Sequence, residues 1–267
     1  NTPKPAQLKP LYELGVGLSW FSFPDYAGSS HDQKFLLPFP SVLYRGEILR
    51  SERDEGVRGR FFNSRRIEID LSADGTFPSK EKDNQERSGM GDLDPLLEIG
   101  PRLIWHLKLS EIESPLEISL NFGARYSFSS DFKYWKERGS ALNPYLNFKY
   151  EGLFFAANSS RDTYIFSYGA KFASRDLQGF YYDVTESQVT AARQSYRARS
   201  GLMETSASLG AFIPLADSWW FFLGAIAAFY QQSVNRESPL HGRDQAYSLA
   251  LGLSWNFHQA PFLVLEP

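Results

Sequence analysis

The sequence predicts an all-β chain closed into a single transmembrane antiparallel up-and-down β-barrel of twelve strands, with ten and fourteen as the neighbouring counts. Three observations lead there. Several stretches alternate apolar with small or polar residues for more than ten positions, beyond the ~5–6 of soluble strands and near the ~9–11 that cross a bilayer at a tilt. The second face of the strongest of these carries almost no long charged side chains, which a soluble sandwich would usually turn to solvent. Aromatic residues reach 16% of the 267, as 22 Phe, 14 Tyr and 6 Trp, an excess that girdles at the two bilayer edges would absorb.

The strongest strand signal is "AYSLALGLSWNF", residues 246–257. It sets Tyr247, Leu249, Leu251, Leu253, Trp255 and Phe257 against Ala246, Ser248, Ala250, Gly252, Ser254 and Asn256. Near the N-terminus Tyr12, Leu14, Val16, Leu18 and Trp20 oppose Glu13, Gly15, Gly17 and Ser19. The same alternation recurs along the chain and gives strands near 11–23, 35–45, 47–54, 57–63, 65–76, 95–109, 115–130, 141–156, 163–174, 202–215, 218–233 and 244–257. It is weakest over 35–63, where Pro38, Pro40 and a dense charge run interrupt it. Strand 218–233 is apolar on both parities, so its inward face is expected against a filled part of the lumen, with Gly224 and Ala228 making room. Gly15 and Gly17 lack the third glycine and following helix of a dinucleotide fingerprint, and read as relief of crowding inside a curved wall.

Connections alternate too. Short links at "SEIESP", "NSSRD" and "LADS" alternate with long polar ones at 24–34, 74–94, 174–200 and 234–243, as in barrels with short periplasmic turns and long outer loops. No repeat or linker divides the chain, so it reads as a periplasmic N-terminal segment (1–10), a barrel (11–257) and a C-terminal tail (258–267). The longest strongly apolar run, 219–230, is well short of the ~20 residues of a spanning helix. The polar start "NTPKPAQLKP", without a charged-then-apolar leader, suits an exported chain whose signal peptide is gone. A net charge of −3 without a basic stripe argues against nucleic acid. The absence of cysteine excludes disulfides, thiol catalysis and thiolate metal sites.

Parity sends Glu13, Glu68, Asp70, Glu98, Arg102, His106, Lys108, Glu117, Arg125, Lys149, Lys171 and Glu204 inward. Mixed signs in a confined interior predict a paired network that fills the lumen; the sharper alternative is a narrow polar conduit for a small solute. Lipase-type catalysis needs Ser and His near the outer leaflet edge, yet of His31, His106, His241 and His258 only His106 lies on a firm strand, pointing inward. Asp92 and Asp94, with Asp83 and Glu86, lack calcium-loop spacing, and no metal or cofactor is expected. "NSS" at 158–160 matches a glycosylation sequon but is given no role. The Arg-rich run 44–66 reads as a solvated hairpin with cross-strand ion pairs, or, alternatively, as a basic surface for lipopolysaccharide phosphates. In loop 174–200, Tyr181, Tyr182, Arg193, Tyr196, Arg197 and Arg199 form the candidate lid or binding loop, being residue types enriched at interface hot spots.

A set of phrases then resembles the MipA/OmpV family of Gram-negative outer-membrane proteins, named for a member that interacts with the lytic transglycosylase MltA. "PDYAGSS" carries Pro24, Asp25, Tyr26 and Gly28; "PFPSVLYRGE" carries Tyr44, Arg45 and Gly46; "GVRGRFF" follows. The most specific piece, "RSGMGDLDPLLEIGP", carries Gly89, Met90, Asp92, Leu93, Glu98, Gly100 and Pro101. "FYYDV" supplies Tyr181, Tyr182 and Val184, with Asp183 where the family has Gly, and "SPL" supplies Ser238 and Pro239. The resemblance implies an outer-membrane barrel, embedded in lipid and lipopolysaccharide, that scaffolds periplasmic peptidoglycan enzymes such as a lytic transglycosylase and a peptidoglycan synthase. It implies no catalytic residues, and porin-like roles for some members.

Overall fold

The computed structural model describes residues 7–53, 56–108, 115–152, 162–216 and 218–266. Leu109, the links 110–114 and 158–161, and residues 1–6 lie outside them. In chain order the strands are β1 (Gln7–Pro10), β2 (Tyr12–Pro24), β3 (Asp32–Arg45), β4 (Leu49–Glu52), β5 (Gly56–Asn63), β6 (Ile67–Thr76), β7 (Leu96–Lys108), β8 (Leu116–Ser130), β9 (Trp135–Gly152) and β10 (Asp162–Ala173). A helix, α1 (Arg175–Tyr182), precedes β11 (Gly201–Ala216), β12 (Trp219–Phe229), β13 (Gln245–Gln259) and β14 (Leu263–Glu266). Strands β2 to β13 pair antiparallel in sequence order, and β13 returns to β2 to close a twelve-stranded barrel. No helix among the described residues is long and apolar enough to cross a membrane.

The alternation explains the wall. Along β13 the odd residues Leu249, Leu251, Leu253, Trp255 and Phe257 are all exposed, whereas Ala246, Ser254 and Asn256 on the even face are buried. In water such an apolar belt would cost ~25 cal/mol per Å² left exposed; in a bilayer it is the required surface. Aromatic residues mark both edges of the belt. Trp219 stacks on Trp255 at 5.9 Å near the short turns, and Tyr134 and Trp135 are exposed at the opposite end.

Inside, small residues admit large neighbours from adjacent strands. Gly17 and Gly252 have no room for a Cβ because the rings of Phe39 and Phe222 lie over them, and those two rings meet at 6.0 Å. The doubly apolar β12 carries Phe222 into this packing, but Gly224 and Ile226 on the same parity line an open chamber rather than the filled lumen expected, and the strand ends at Phe229, four residues short of the predicted bound.

Pairing is uneven around the ring. From β6 through β13 to β3 each strand meets the next over ten or more residues. On the remaining arc β3 meets β4 only at Tyr44 and Arg45, β4 meets β5 over four residues, and β5 meets β6 only between Gly59 and Asn63. Near the short-turn end, β1 and β14 join in a separate two-stranded sheet, tied to the barrel where Ala260 N–H donates to Tyr12 O at 2.9 Å.

Candidate functional site

The long loops close the outer end. Ser174 caps α1, its Oγ accepting from Leu177 N–H at 3.4 Å and from Ser140 N–H at 2.9 Å, which fixes the helix over the ends of β9 and β10. One side of this amphipathic helix of about two turns, Leu177, Gln178, Tyr181 and Tyr182, is buried. It joins Tyr26, Leu93, Leu96, Ala141, Ala173, Ala198 and Met203 in one apolar core, built from three loops and the strand ends beside them.

Hydrogen bonds tie the loops together. Tyr26 stacks on Tyr181 at 5.9 Å and donates to Leu240 O at 2.8 Å, while Tyr182 donates to Ala27 O at 2.6 Å. Asn84, fully buried, donates to Asp25 at 2.7 Å and to Ser29 at 3.0 Å. Asn235 donates to Gln178 Oε1 at 2.5 Å and accepts from Tyr196 at 3.1 Å. Burial pushes the Tyr181 phenol up to about 12, opposed by the nearby Lys171, and burial raises Tyr182 and Tyr26 as well.

Most of the family phrases meet in this plug. Pro24 ends β2; Asp25 also meets His31 Nδ1 at 3.1 Å. Gly28 takes φ +80, a conformation that favours glycine, and offers its carbonyl to Gly242 and Arg243 N–H. Gly89 (φ +77) turns the chain beside half-buried Met90. Asp92 pairs with Lys80 at 2.7 Å and Leu93 bridges to Ser79. Val184 pairs with Tyr196, and Ser238, followed by Pro239, donates to Tyr182 O at 3.0 Å. Glu98 and Gly100 lie just below in β7 ahead of exposed Pro101, Gly100 against the backbone of Ala124 with no room for a Cβ. Asp183 needs no left-handed turn: at φ −67 it ends α1, accepts from Ala198 N–H at 2.7 Å and pairs with Arg175 at 2.5 Å. The remaining phrase works at the other end, where Arg45 meets Glu13 and Pro10 O, each at 2.6 Å, and Gly46 passes tightly beneath the Tyr44 ring.

Loop 174–200, the candidate lid or binding loop, takes part in the plug and turns only some of its named residues outward. Tyr181, Tyr182 and Arg193 are buried, because their rings and guanidinium serve the plug: Arg193 donates to Glu86 O at 2.8 Å, Ser88 O at 3.0 Å and Gln188 O. Tyr196 is half-buried. Only Arg197 and Arg199 face outward.

The inward charges form chains. Arg102 meets Asp70 at 2.5 Å and Tyr145 OH at 3.1 Å; Arg58 reaches Glu68 and Glu52, each at 2.5 Å, and Asp70 at 3.7 Å. Lys171 meets Glu98 at 2.6 Å, close beneath α1, opposite Glu204 in the β10–β11 register. His106 meets Glu117 at 2.9 Å, Arg125 reaches Asp74 at 3.5 Å, and Lys149 reaches Glu151 at 3.7 Å. Lys108 shares the inward parity of β7 but is half-buried at its end. Sequence parity missed Arg50 and Arg58, whose inward aim depends on the register of a short hairpin. The Arg-rich run is therefore no solvated hairpin: it folds inward, and Arg53 at its tip lies 3.9 Å over the Trp220 ring and 3.1 Å from Glu13. It also sits at the short-turn end, away from the leaflet that carries lipopolysaccharide.

Between these walls is a chamber of about 590 Å³. Arg102, His106, Glu117, Asn121, Asn147 and Lys149 form one side, and Phe21, Phe23, Phe212 and Phe222 the other. A smaller cavity of about 200 Å³ reaches up past Tyr145 to Lys171 and Glu204. Several lining residues, Glu117, Lys149 and Phe222 among them, are within a few positions of the short-turn ends of their strands, so the chamber reaches toward that end. Ser119 stands opposite His106 in the register, but its Oγ accepts from Asn121 at 3.1 Å. Among the described residues no group of three or more His, Asp or Glu is placed to hold a metal ion.

Over residues 16–257 the sequence matches the family described as MltA-interacting protein MipA. A search of the curated proteins finds no match. Similar solved structures include the translocator domain of autotransporter NalP from Neisseria meningitidis, at 10% identity and TM-score 0.43, covering 93% of this chain and 89% of that one. The outer membrane protease OmpT from Escherichia coli gives 10% identity and TM-score 0.35, covering 94% and 98%. The outer membrane protein OprG from Pseudomonas aeruginosa gives 8% identity and TM-score 0.26, covering 97% and 98%.

Proposed function

Because this chain belongs to the family of MltA-interacting protein MipA, and is an outer-membrane barrel by its closed ring and apolar belt, we propose that it is an interaction protein rather than a pore or an enzyme. It holds periplasmic peptidoglycan-remodelling enzymes, a lytic transglycosylase of the MltA type first and a peptidoglycan synthase second, against the outer membrane. One observation carries this reading: three loops share a buried core over the outer mouth and the fourth is hydrogen-bonded to it through Leu240 and Ser238, which leaves the lumen a cup opening inward. Partners then meet the short-turn end, where β1 and β14 form their own two-stranded sheet. Lipid and lipopolysaccharide touch only the belt and the outer loops.

The test uses refolded protein in two assays. In a planar bilayer it is silent, and on a sensor it binds immobilised MltA-type transglycosylase, with binding lost when residues 1–10 and 258–267 are removed from a barrel that still folds. Failure to bind, or binding that ignores that deletion, overturns the proposal. The chamber is the specific observation favouring the second reading, a narrow channel for small polar solutes. Discrete openings in the intact protein would establish it; silence in both the intact protein and a variant shortened in loop 174–200 would remove it.

A further inference from the structure

Above the short β4–β5 hairpin the barrel wall has a seam. On the side away from β2, β3 has a partner strand only at Tyr44 and Arg45, and on the side away from β7, β6 has one only up to Leu71. Among the described residues, positions 32–43 of β3 and 72–76 of β6 therefore present sheet edges to each other with no strand between. Backbone edges facing hydrocarbon are costly, and this one is blunted: Pro38 and Pro40 lie opposite Leu18 and Val16 in the β2 register. A proline fits beside a partner strand only where its missing N–H faces away from that strand, here toward the seam. Two inward-parity residues confirm the opening, since Leu37 is 37% exposed and the Asp74 side chain 57% exposed.

The seam is bounded. Below lies the hairpin; above, Phe35 packs on Phe77 at 4.8 Å and Gln33 donates to Pro78 O at 3.2 Å. This clasp is made of side chains, not of strand hydrogen bonds. From it an aromatic path runs inward: Phe35 and Phe77 touch Phe23 at 5.4 and 5.7 Å, and Phe35 touches Phe21 at 5.5 Å. Phe21 and Phe23 are themselves part of the chamber lining. Outside, Leu36, Pro38, Pro40 and Val42 face the belt and are exposed.

We propose that the seam between β3 and β6 is a lateral portal through which small amphipathic aromatic molecules pass from the bilayer into the chamber. The chamber suits that class. An apolar ring gains by leaving lipid only if its polar group is satisfied inside, and the wall facing Phe212 and Phe222 offers Asn121, Asn147, Ser167 and the Lys149 ammonium. A volume of about 590 Å³ lies within the ~300–1,000 Å³ of small-molecule sites. The portal is independent of partner binding at the periplasmic face.

The chain has no cysteine, so a single chamber thiol, from Ser208→Cys, reports entry. In lipid vesicles its modification is timed with two reagents, N-phenylmaleimide, which partitions into the bilayer, and a sulfonated maleimide, which arrives only from water. Opening the clasp with Phe35→Ala and Phe77→Ala should speed the aromatic reagent about tenfold. Obstructing the seam with Leu37→Trp should slow it similarly, with the sulfonated reagent unchanged in every variant. Heat-modifiable gel migration shows which variants are folded. Parallel changes in both reagents, or an aromatic rate indifferent to the clasp and to Leu37→Trp in folded protein, would overturn the portal.

Discussion

Two arcs of one barrel are built by different rules. From β7 to β13 strands of eleven to eighteen residues bond on both sides, and alternation alone decides which side chain meets lipid. From β3 to β6 the ring is completed by a hairpin of four and eight residues that turns its arginines inward, so the wall is held as much by ion pairs as by strand ladders. Continuous pairing gives a rigid surface that tolerates small residues inside; interrupted pairing gives a region whose stability depends on buried charge. Function that needs movement through the wall belongs on the second arc.

The sharpest way to break the comparison is at Asp70, which is fully buried and joins the arcs by meeting Arg102 of β7 and Arg58 of β5. Removing one member of a buried pair leaves an uncompensated charge at a cost of roughly 3–5 kcal/mol. Asp70→Ala should lower the urea midpoint of the folded barrel accordingly, whereas Asp92→Ala, at an exposed loop pair, should leave it unmoved. Equal effects would mean that the inward charges are solvated and that the interrupted arc does not rely on them.

Next in size is the plug. Tyr182 is fully buried under the loops, and truncating a buried aromatic costs about 3–5 kcal/mol. Because the loss falls on loops, Tyr182→Ala should show as faster trypsin cleavage within 174–200, with the barrel's own melting little changed. Loss of the barrel instead would show that the plug and wall fold as one unit.

The two arcs also differ in how they treat proline. In β13 Leu251 pairs with Leu223 of β12 on one side and Trp20 of β2 on the other, so Leu251→Pro should cost about 1–3 kcal/mol for the group left without its partner. Pro38→Leu does the opposite, adding an N–H that points at the seam, and should destabilise by about 1 kcal/mol. A gain in stability there would mean that a strand pairs with this part of β3.

These contrasts say what was legible in the sequence. Five of the seven strands of the long arc lie within two residues of their expected bounds, since a period of two, sustained past ten positions, leaves one face for lipid; β9 starts six residues early and β12 ends four short. Glu98, Asp70 and Arg102 were placed inward by the same parity. The hairpin arc was flagged by Pro38 and Pro40 but not resolved, because strands of four residues carry too few alternations to fix a face, and Arg58 and Arg50 went unrecognised. The plug's loop was read as a lid or a binding loop, but without its partners, for a different reason. Tyr and Arg are equally suited to a binding surface and to a loop core, and nothing local to 174–200 announces Arg87, Ala27 or Ser238 as its partners from three other loops.

The smallest expected effect belongs to His241 in the loop before β13. Its ring lies against Gly28 and edge-on to Tyr230 at 6.1 Å, and burial holds its pKa below 6.5, with Asp244 pulling the other way. The folded loops thus favour the neutral imidazole, while an opened loop takes up a proton first as the pH falls. The contribution is complete above about pH 6.5 and is lost as acidification proceeds through the folded value. Protease sensitivity of the outer loops should therefore rise between pH 7.5 and 5.5, by less than about tenfold since one full pKa unit is only ~1.4 kcal/mol. His241→Phe should flatten that profile. If it does not, the acid sensitivity of the plug does not come from His241, and the closure answers to a different loop.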